Sequence, residues 1–135
     1  MKHEPMKFTL ELEEVLVELT DSKEGVLAYT LKELNGRQRA KYLSCVNENS
    51  EETGEISKKD GKPVVKITNF AAVQTMLLHL SLVDDKNKHA PMEKIEAWPS
   101  RVVGALYKKA RQISALDDEA DEKAGNDSPA NESSG

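Results

Sequence analysis

The chain is poor in the residues that most enzymes and membrane proteins depend on. Its 135 residues include one cysteine, three histidines, one tryptophan, three tyrosines and two phenylalanines. A lone Cys45 excludes an internal disulfide and cannot build a thiolate metal cluster, and a single thiol fits a reducing compartment. No apolar run approaches eighteen residues, so no membrane-spanning helix is expected. The opening Met1-Lys2-His3-Glu4-Pro5-Met6-Lys7 has no apolar stretch of the kind that directs export. Gly-rich phosphate loops, His-Glu-x-x-His and Cys-x-x-Cys are all missing from the sequence.

Charge is plentiful, and it is unevenly spread. Charged residues make up 32% of the chain against 38% hydrophobic ones, which permits a small aliphatic core. Residues 117–135 carry a net charge of −6 out of the total of −5, leaving about +1 on the preceding 116 residues. A segment so acidic and so poor in apolar side chains cannot offset the entropy of ordering it. The expected organisation is one folded domain over residues 1–116 and a disordered acidic tail over residues 117–135. A nearly neutral folded part also disfavours nucleic-acid binding, because counterion release needs a positive excess.

Hydrophobic spacing divides the domain into elements. Phe8, Leu10 and Leu12 alternate with polar residues, as do Val15, Val17 and Leu19, but the phase slips at Glu13-Glu14. One strand with a bulge or two short strands absorbs the slip, and Phe8, Leu12, Val15, Leu16 and Leu19 also trace a helical stripe. The turn-like residues 20–25 and the alternation of Leu27, Tyr29 and Leu31 favour a β-hairpin. Ala40, Leu43 and Val46 predict a short helix over residues 37–46. Residues 47–62 are polar and predict a mobile loop, with Asp60-Gly61 available for a tight turn and a short extended segment over residues 63–68.

Asn69 is placed to cap a helix over residues 70–83. Phe70, Val73, Met76, Leu77, Leu80 and Val83 form its inner stripe, and Leu78 and Leu82 leave little of it polar, which predicts the central helix. One or two helical turns over residues 91–97 lead into Trp98-Pro99. Pro99 suits a first helical position, and Val103, Leu106, Ala110 and Ile113 form one apolar stripe behind it. Trp98 is expected to pack under the start of this last helix. The predicted fold class is α+β: an N-terminal β-hairpin region, then a three- to four-helix domain, then the disordered acidic tail.

Catalytic groups do not converge. His79 on the central helix is expected to be half-buried and bonded to backbone or water, and Cys45 to be a small buried hydrophobe. The adjacent acids Glu13-Glu14, Glu51-Glu52 and Asp84-Asp85 read as solvated surface. No enzymatic activity, cofactor or metal is expected. Basic residues gather at Arg37, Arg39 and Lys41 and at Arg101, Lys108, Lys109 and Arg111, where a solvated helix face or an acidic partner accounts for them.

Four fragments in order carry a family resemblance. They are Leu19-Thr20-Asp21 through Gly25; Tyr29-Thr30-Leu31-Lys32-Glu33-Leu34-Asn35-Gly36-Arg37-Gln38-Arg39; Ile67-Thr68-Asn69-Phe70 with Leu77-Leu78 and Leu82-Val83-Asp84-Asp85; and Ile95-Glu96-Ala97-Trp98-Pro99-Ser100-Arg101-Val102-Val103 with Leu106, Ala110, Ser114 and Leu116. With them the chain resembles the short tail assembly chaperones of long-tailed bacteriophages and prophages over residues 15–126. Residues 47–62 and 127–135 fall outside the resemblance.

That resemblance implies a non-enzymatic role in the host bacterial cytoplasm and absence from the mature virion. The implied partners are the tape measure protein, which such chaperones coat, and the tail tube protein, whose polymerisation displaces them. It also implies a longer frameshifted product beginning in the acidic tail. Self-association is a further expectation, and a membrane is not. The expected partner-binding residues are Leu78, Leu82, Trp98, Arg101, Tyr107 and Lys108, with Leu78, Leu82 and Tyr107 forming an apolar side left over by the core. The alternative function is a small phage-encoded nucleic-acid-associated or regulatory protein using Arg37, Arg39, Arg101, Lys108 and Lys109.

Overall fold

Local turn and capping chemistry sets most of the element boundaries. The structure, a computed structural model, describes residues 3–116, so the expected disordered tail over residues 117–135 and its frameshift junction lie outside the described residues. Strands β1 (Glu14–Asp21) and β2 (Gly25–Lys32) form an antiparallel hairpin paired along its whole length, from Glu14 opposite Lys32 to Asp21 opposite Gly25. The Asp21 carboxylate closes the turn by accepting the amides of Lys23 and Glu24 at 2.6 and 3.0 Å, and Gly25 takes the positive φ of 81° that the reversal needs.

Helix α1 (Gly36–Glu48) begins at a reciprocal capping box. Gln38 N donates to Asn35 Oδ1 at 2.9 Å, and Asn35 N donates to Gln38 Oε1 at 3.1 Å. Its buried face is Tyr42, Cys45 and Val46, while Ala40 is exposed. The expected stripe through Ala40 is therefore rotated, because the face that meets the other helices is the one carrying the large Tyr42 ring.

A second hairpin follows, made of β3 (Ser50–Ile56) and β4 (Pro63–Ile67). The polar loop expected over residues 47–62 is thus corrected: residues 47 and 48 end α1, and residues 50–56 are a strand. The Asp60-Gly61 turn is present, with Gly61 at φ 71° and Asp60 Oδ1 accepting the Lys62 amide at 3.0 Å.

Helix α2 (Phe70–Ser81) starts where Asn69 Oδ1 accepts the Ala72 amide at 3.2 Å. It is buried on nearly every side, with Val73, Leu77 and Leu78 fully covered and Leu80 almost so, as its apolar circumference predicts. It ends two residues earlier than expected. Leu82 and Val83 turn extended as β5 (Leu82–Val83) and pair with Leu31 and Thr30, completing a three-stranded sheet in the order β1-β2-β5. An Asp84 turn and the short α3 (Met92–Glu96) lead to α4 (Ser100–Ile113). Pro99 stands one position earlier than expected, at the cap with an extended ψ of 141°, and its carbonyl accepts the Val102 and Val103 amides.

The architecture is α+β, with the β-hairpin region first and four helices completing it. One hydrophobic cluster joins the sheet's inner face (Tyr29, Leu31, Leu82) to α1, α2, α3 and α4 through Tyr42, Val46, Leu77, Ile95, Val103, Ala110 and others. A three-stranded sheet and four helices around one cluster, in which the three tyrosines join mainly Leu, Val and Ile side chains, match a composition poor in rings.

Candidate interaction surface

The expected partner-binding residues separate into an interior group and an exterior group. Leu78 and Leu82 are fully buried, and Tyr107 is 4% exposed. The expectation that these three form a leftover apolar side is corrected, since the core uses all of them. Leu78 lies inside because α2 is surrounded on all sides, and Leu82 because it has left the helix to pair with Leu31. Tyr107 turns inward to place its hydroxyl 2.8 Å from that of Tyr42. Burial, reinforced by the neighbouring Tyr107 phenol, pushes the Tyr42 phenol far above its ordinary value, so the Tyr42 ring stays neutral. Phe70 meets the Tyr107 ring edge-on at 5.3 Å, and the Arg111 guanidinium lies 5.5 Å from its centre.

Trp98, Arg101 and Lys108 form the exterior group. Trp98 is half-buried, with its ring 5.8 Å from Tyr29 of β2 in an edge-on arrangement, packed against the edge of the core. Arg101 and Lys108 are exposed and sit seven residues apart, two turns along the same helix face. Between them that face carries the half-buried Gly104, with open space where a side chain would be, and the exposed Ala105. The outward stripe of α4 is therefore low in the middle and cationic at both ends, a shape against which another helix can lie closely.

Other charged and reactive side chains have structural employment. Arg39 donates to the carbonyl of Ser114 at 3.1 Å, and the Ser114 hydroxyl accepts the Leu34 amide at 2.9 Å, so this pair ties α1 to the end of α4. His79 Nδ1 lies 2.7 Å from the Ala90 carbonyl, and His89 Nδ1 lies 3.0 Å from the His79 carbonyl. A carbonyl can only accept, so both rings carry their proton on Nδ1. Cys45 is buried with its thiol 3.9 Å from the Ala72 carbonyl, and burial raises its pKa. Among the described residues, no group of three or more His, Cys, Asp or Glu is placed to hold a metal, and no helix is long and apolar enough to cross a membrane. An open depression runs along β3 and β4, lined by Glu51, Glu52, Glu55, Val65 and Lys66 among others.

A second exposed region was legible in the sequence only as strand pattern. Met6, Phe8, Leu10, Leu16 and Val26 are all more than half exposed. The expected strand over residues 8–13 is absent: β1 begins at Glu14, and residues 3–13 belong to no helix or strand. Alternation predicts that one face of a strand is covered, but it does not name what covers it, and here nothing among the described residues does.

No family model matches the chain, and no curated protein does. Among solved structures it is similar to the bacteriophage HK97 tail assembly chaperone, at 16% identity and a TM-score of 0.42, over 74% of this chain and 85% of that one.

Proposed function

We propose that this chain is a non-enzymatic tail assembly chaperone of a long-tailed phage or prophage. In this role it binds the tape measure protein in the host cytoplasm, is displaced as tail tube subunits polymerise, and is absent from the finished virion. The single observation that carries the proposal is the ordered set of four family-like fragments, each of which sits at a junction of the fold. The Asp21 turn, the Asn35 capping box, the Asn69 cap, the Asp84 turn and the Trp98-Pro99 entry to α4 all lie within them. The stretches most like the family are therefore those that direct the path of the chain.

The client surface follows from what the core leaves outside. An elongated helical client needs a shallow groove of modest affinity, so that tube subunits can displace the chaperone, and many copies along one client supply avidity. The outward stripe of α4, with Arg101 and Lys108 flanking Gly104 and Ala105 and with Trp98 at its foot, suits that task. Leu78, Leu82 and Tyr107 serve it only indirectly, by holding α4 in place.

The test is co-expression with the tape measure protein of the phage or prophage that encodes this chain. The chain is expected to keep that protein soluble and to co-purify with it, and Arg101→Glu with Lys108→Glu is expected to abolish co-purification while leaving the circular dichroism unchanged. A tape measure protein that stays insoluble and unbound in the presence of wild-type chain overturns the proposal. The nucleic-acid alternative loses Arg39 to its bond with Ser114, and the cations that remain on α4 are few for a counterion-driven interface.

A further inference from the structure

We propose that residues 6–12 are a donor strand that pairs antiparallel with the open edge of β1 in a second copy of this chain, Phe8 opposite Val17 and Leu10 opposite Val15. The donor is identified by pattern and exposure together. Met6, Phe8, Leu10 and Leu12 alternate with Lys7, Thr9 and Glu11, the period of a strand with one covered face. These four side chains are 82%, 79%, 97% and 41% exposed, a run of apolar surface of the kind that marks an interaction site.

The receiving surface lies in the same molecule. The order β1-β2-β5 leaves the outer edge of β1 without a neighbouring strand among the described residues, its backbone groups free to continue the ladder. Val15, Val17 and Leu19 point toward the core from β1 yet are only partly covered. A strand laid beside them extends the apolar face and finishes covering them. The stated register also places Lys7 beside Glu18, an opposite-charge pair on the outer face, and brings Glu11 to Glu14, where like charges end the ladder.

A second copy is the occupant because the arm cannot reach its own edge. Glu13 is held in line with β1: its carbonyl accepts the Glu33 amide at 2.8 Å, and its amide donates to Glu33 Oε1 at 2.9 Å. Folding back onto β1 requires a tight reversal next to Glu13. Between Met6 and Thr20 the sequence has no Gly, Pro, Asn or Asp to make one. The arm therefore projects beyond the sheet, and the β1 edge that matches its length and pattern belongs to another molecule. This pairing stands independently of the chaperone reading, since it concerns only copies of the chain itself.

The experiment uses the full chain. In a Cys45→Ala background, Phe8→Cys combined with Val17→Cys is oxidised mildly and run without reductant. At about 3.3 Å per residue the two positions in one chain are roughly 30 Å apart, so a disulfide forms only between copies. Covalent dimers and longer ladders are expected, and they should be missing when Phe8→Cys is combined instead with Lys109→Cys. In parallel, sedimentation of the unmodified chain across a concentration series should show association that Leu10→Asp reduces at least tenfold, with an unchanged circular dichroism spectrum because Leu10 touches little of the fold. A wild-type chain that stays monomeric, a Leu10→Asp chain that associates as before, or a disulfide formed within one chain or not at all overturns the proposal.

Discussion

The two hairpins are built from similar lengths of chain, yet they are held in different ways. In β1–β2 every residue pairs in register and alternate side chains point inward, so that Tyr29 and Leu31 enter the core. In β3–β4 the ladder is irregular between Glu52 and Ile56, Gly54 takes a φ of 88°, and β3 is exposed from Glu51 onward. The second hairpin hangs on its base, where the Thr68 amide and hydroxyl both donate to the Asn49 carbonyl at 2.6 and 2.9 Å, and where Ile67 is buried. One hairpin is thus fixed by burial of a face and the other by backbone bonds and a clamp. That difference decides which of them the sequence reveals, because apolar alternation is a sequence signal and a clamp is not.

The strongest way to break the comparison is to truncate each hairpin. Leu31→Ala removes a fully buried side chain and should lower stability by about 2–5 kcal/mol in urea unfolding, whereas Ile56→Ala, 62% exposed, should stay within about 0.5 kcal/mol. Equal effects would show that the second hairpin is as integral as the first.

Next in size is the phenol pair behind the first hairpin. Tyr107→Phe leaves the buried Tyr42 hydroxyl without its partner and should cost about 1–3 kcal/mol, with much of that recovered in the Tyr42→Phe, Tyr107→Phe double variant. Amide exchange should accelerate in β2 and α4 together and leave β3–β4 unaffected.

A smaller effect is expected from replacing residues 51–66 with an Asn-Gly turn. Asn49 and Thr68 already touch, so unfolding should remain cooperative and stability should change by about 1 kcal/mol or less.

The smallest effects come from acid. Backbone amides donating to Asp21 and Asp60 lower the pKa of each carboxyl below its ordinary value of 3.8. Because the folded value is the lower one, each contributes stability that is complete above the ordinary value and is lost as pH falls through the folded one. Protection of the Lys62 amide, its exchange relative to an unstructured peptide, should fall first as pH is lowered from about 6 to about 2.5, since β3 is exposed around the turn and little burial holds it closed, and Asp60→Asn should flatten that response.

Much of the fold was legible because its signals are local. Asn69 announces its cap, the residues around Asp21 announce a turn, and α2 announces its central place by being apolar all round, whereas the Asn35 capping box went unread. The missing parts share one cause. An all-apolar helix has no phase, so Leu78 passed for leftover surface, and β3 has no apolar alternation, so it passed for a loop. Trp98 meets Tyr29 of the first hairpin, a partner far away in the chain that no local pattern names. Arg101 and Lys108 were legible as exposed cations, but Gly104 and Ala105 between them gained meaning only when α4 was seen to face them outward.

By itself the sequence determined the first hairpin and its turn, the order of the helices, the Asn69 cap and the Asp60-Gly61 turn, all of which rest on hydrogen bonds, torsions and spacing among near neighbours in the chain. Only the tertiary structure decided which side of α1 is inward, that Tyr107 reaches Tyr42 rather than solvent, that Leu82 and Val83 join the sheet, and that the arm before β1 lies uncovered. Those outcomes depend on which surfaces, distant in sequence, are brought into contact, and a hydrophobic pattern states that a face will be buried without stating against what.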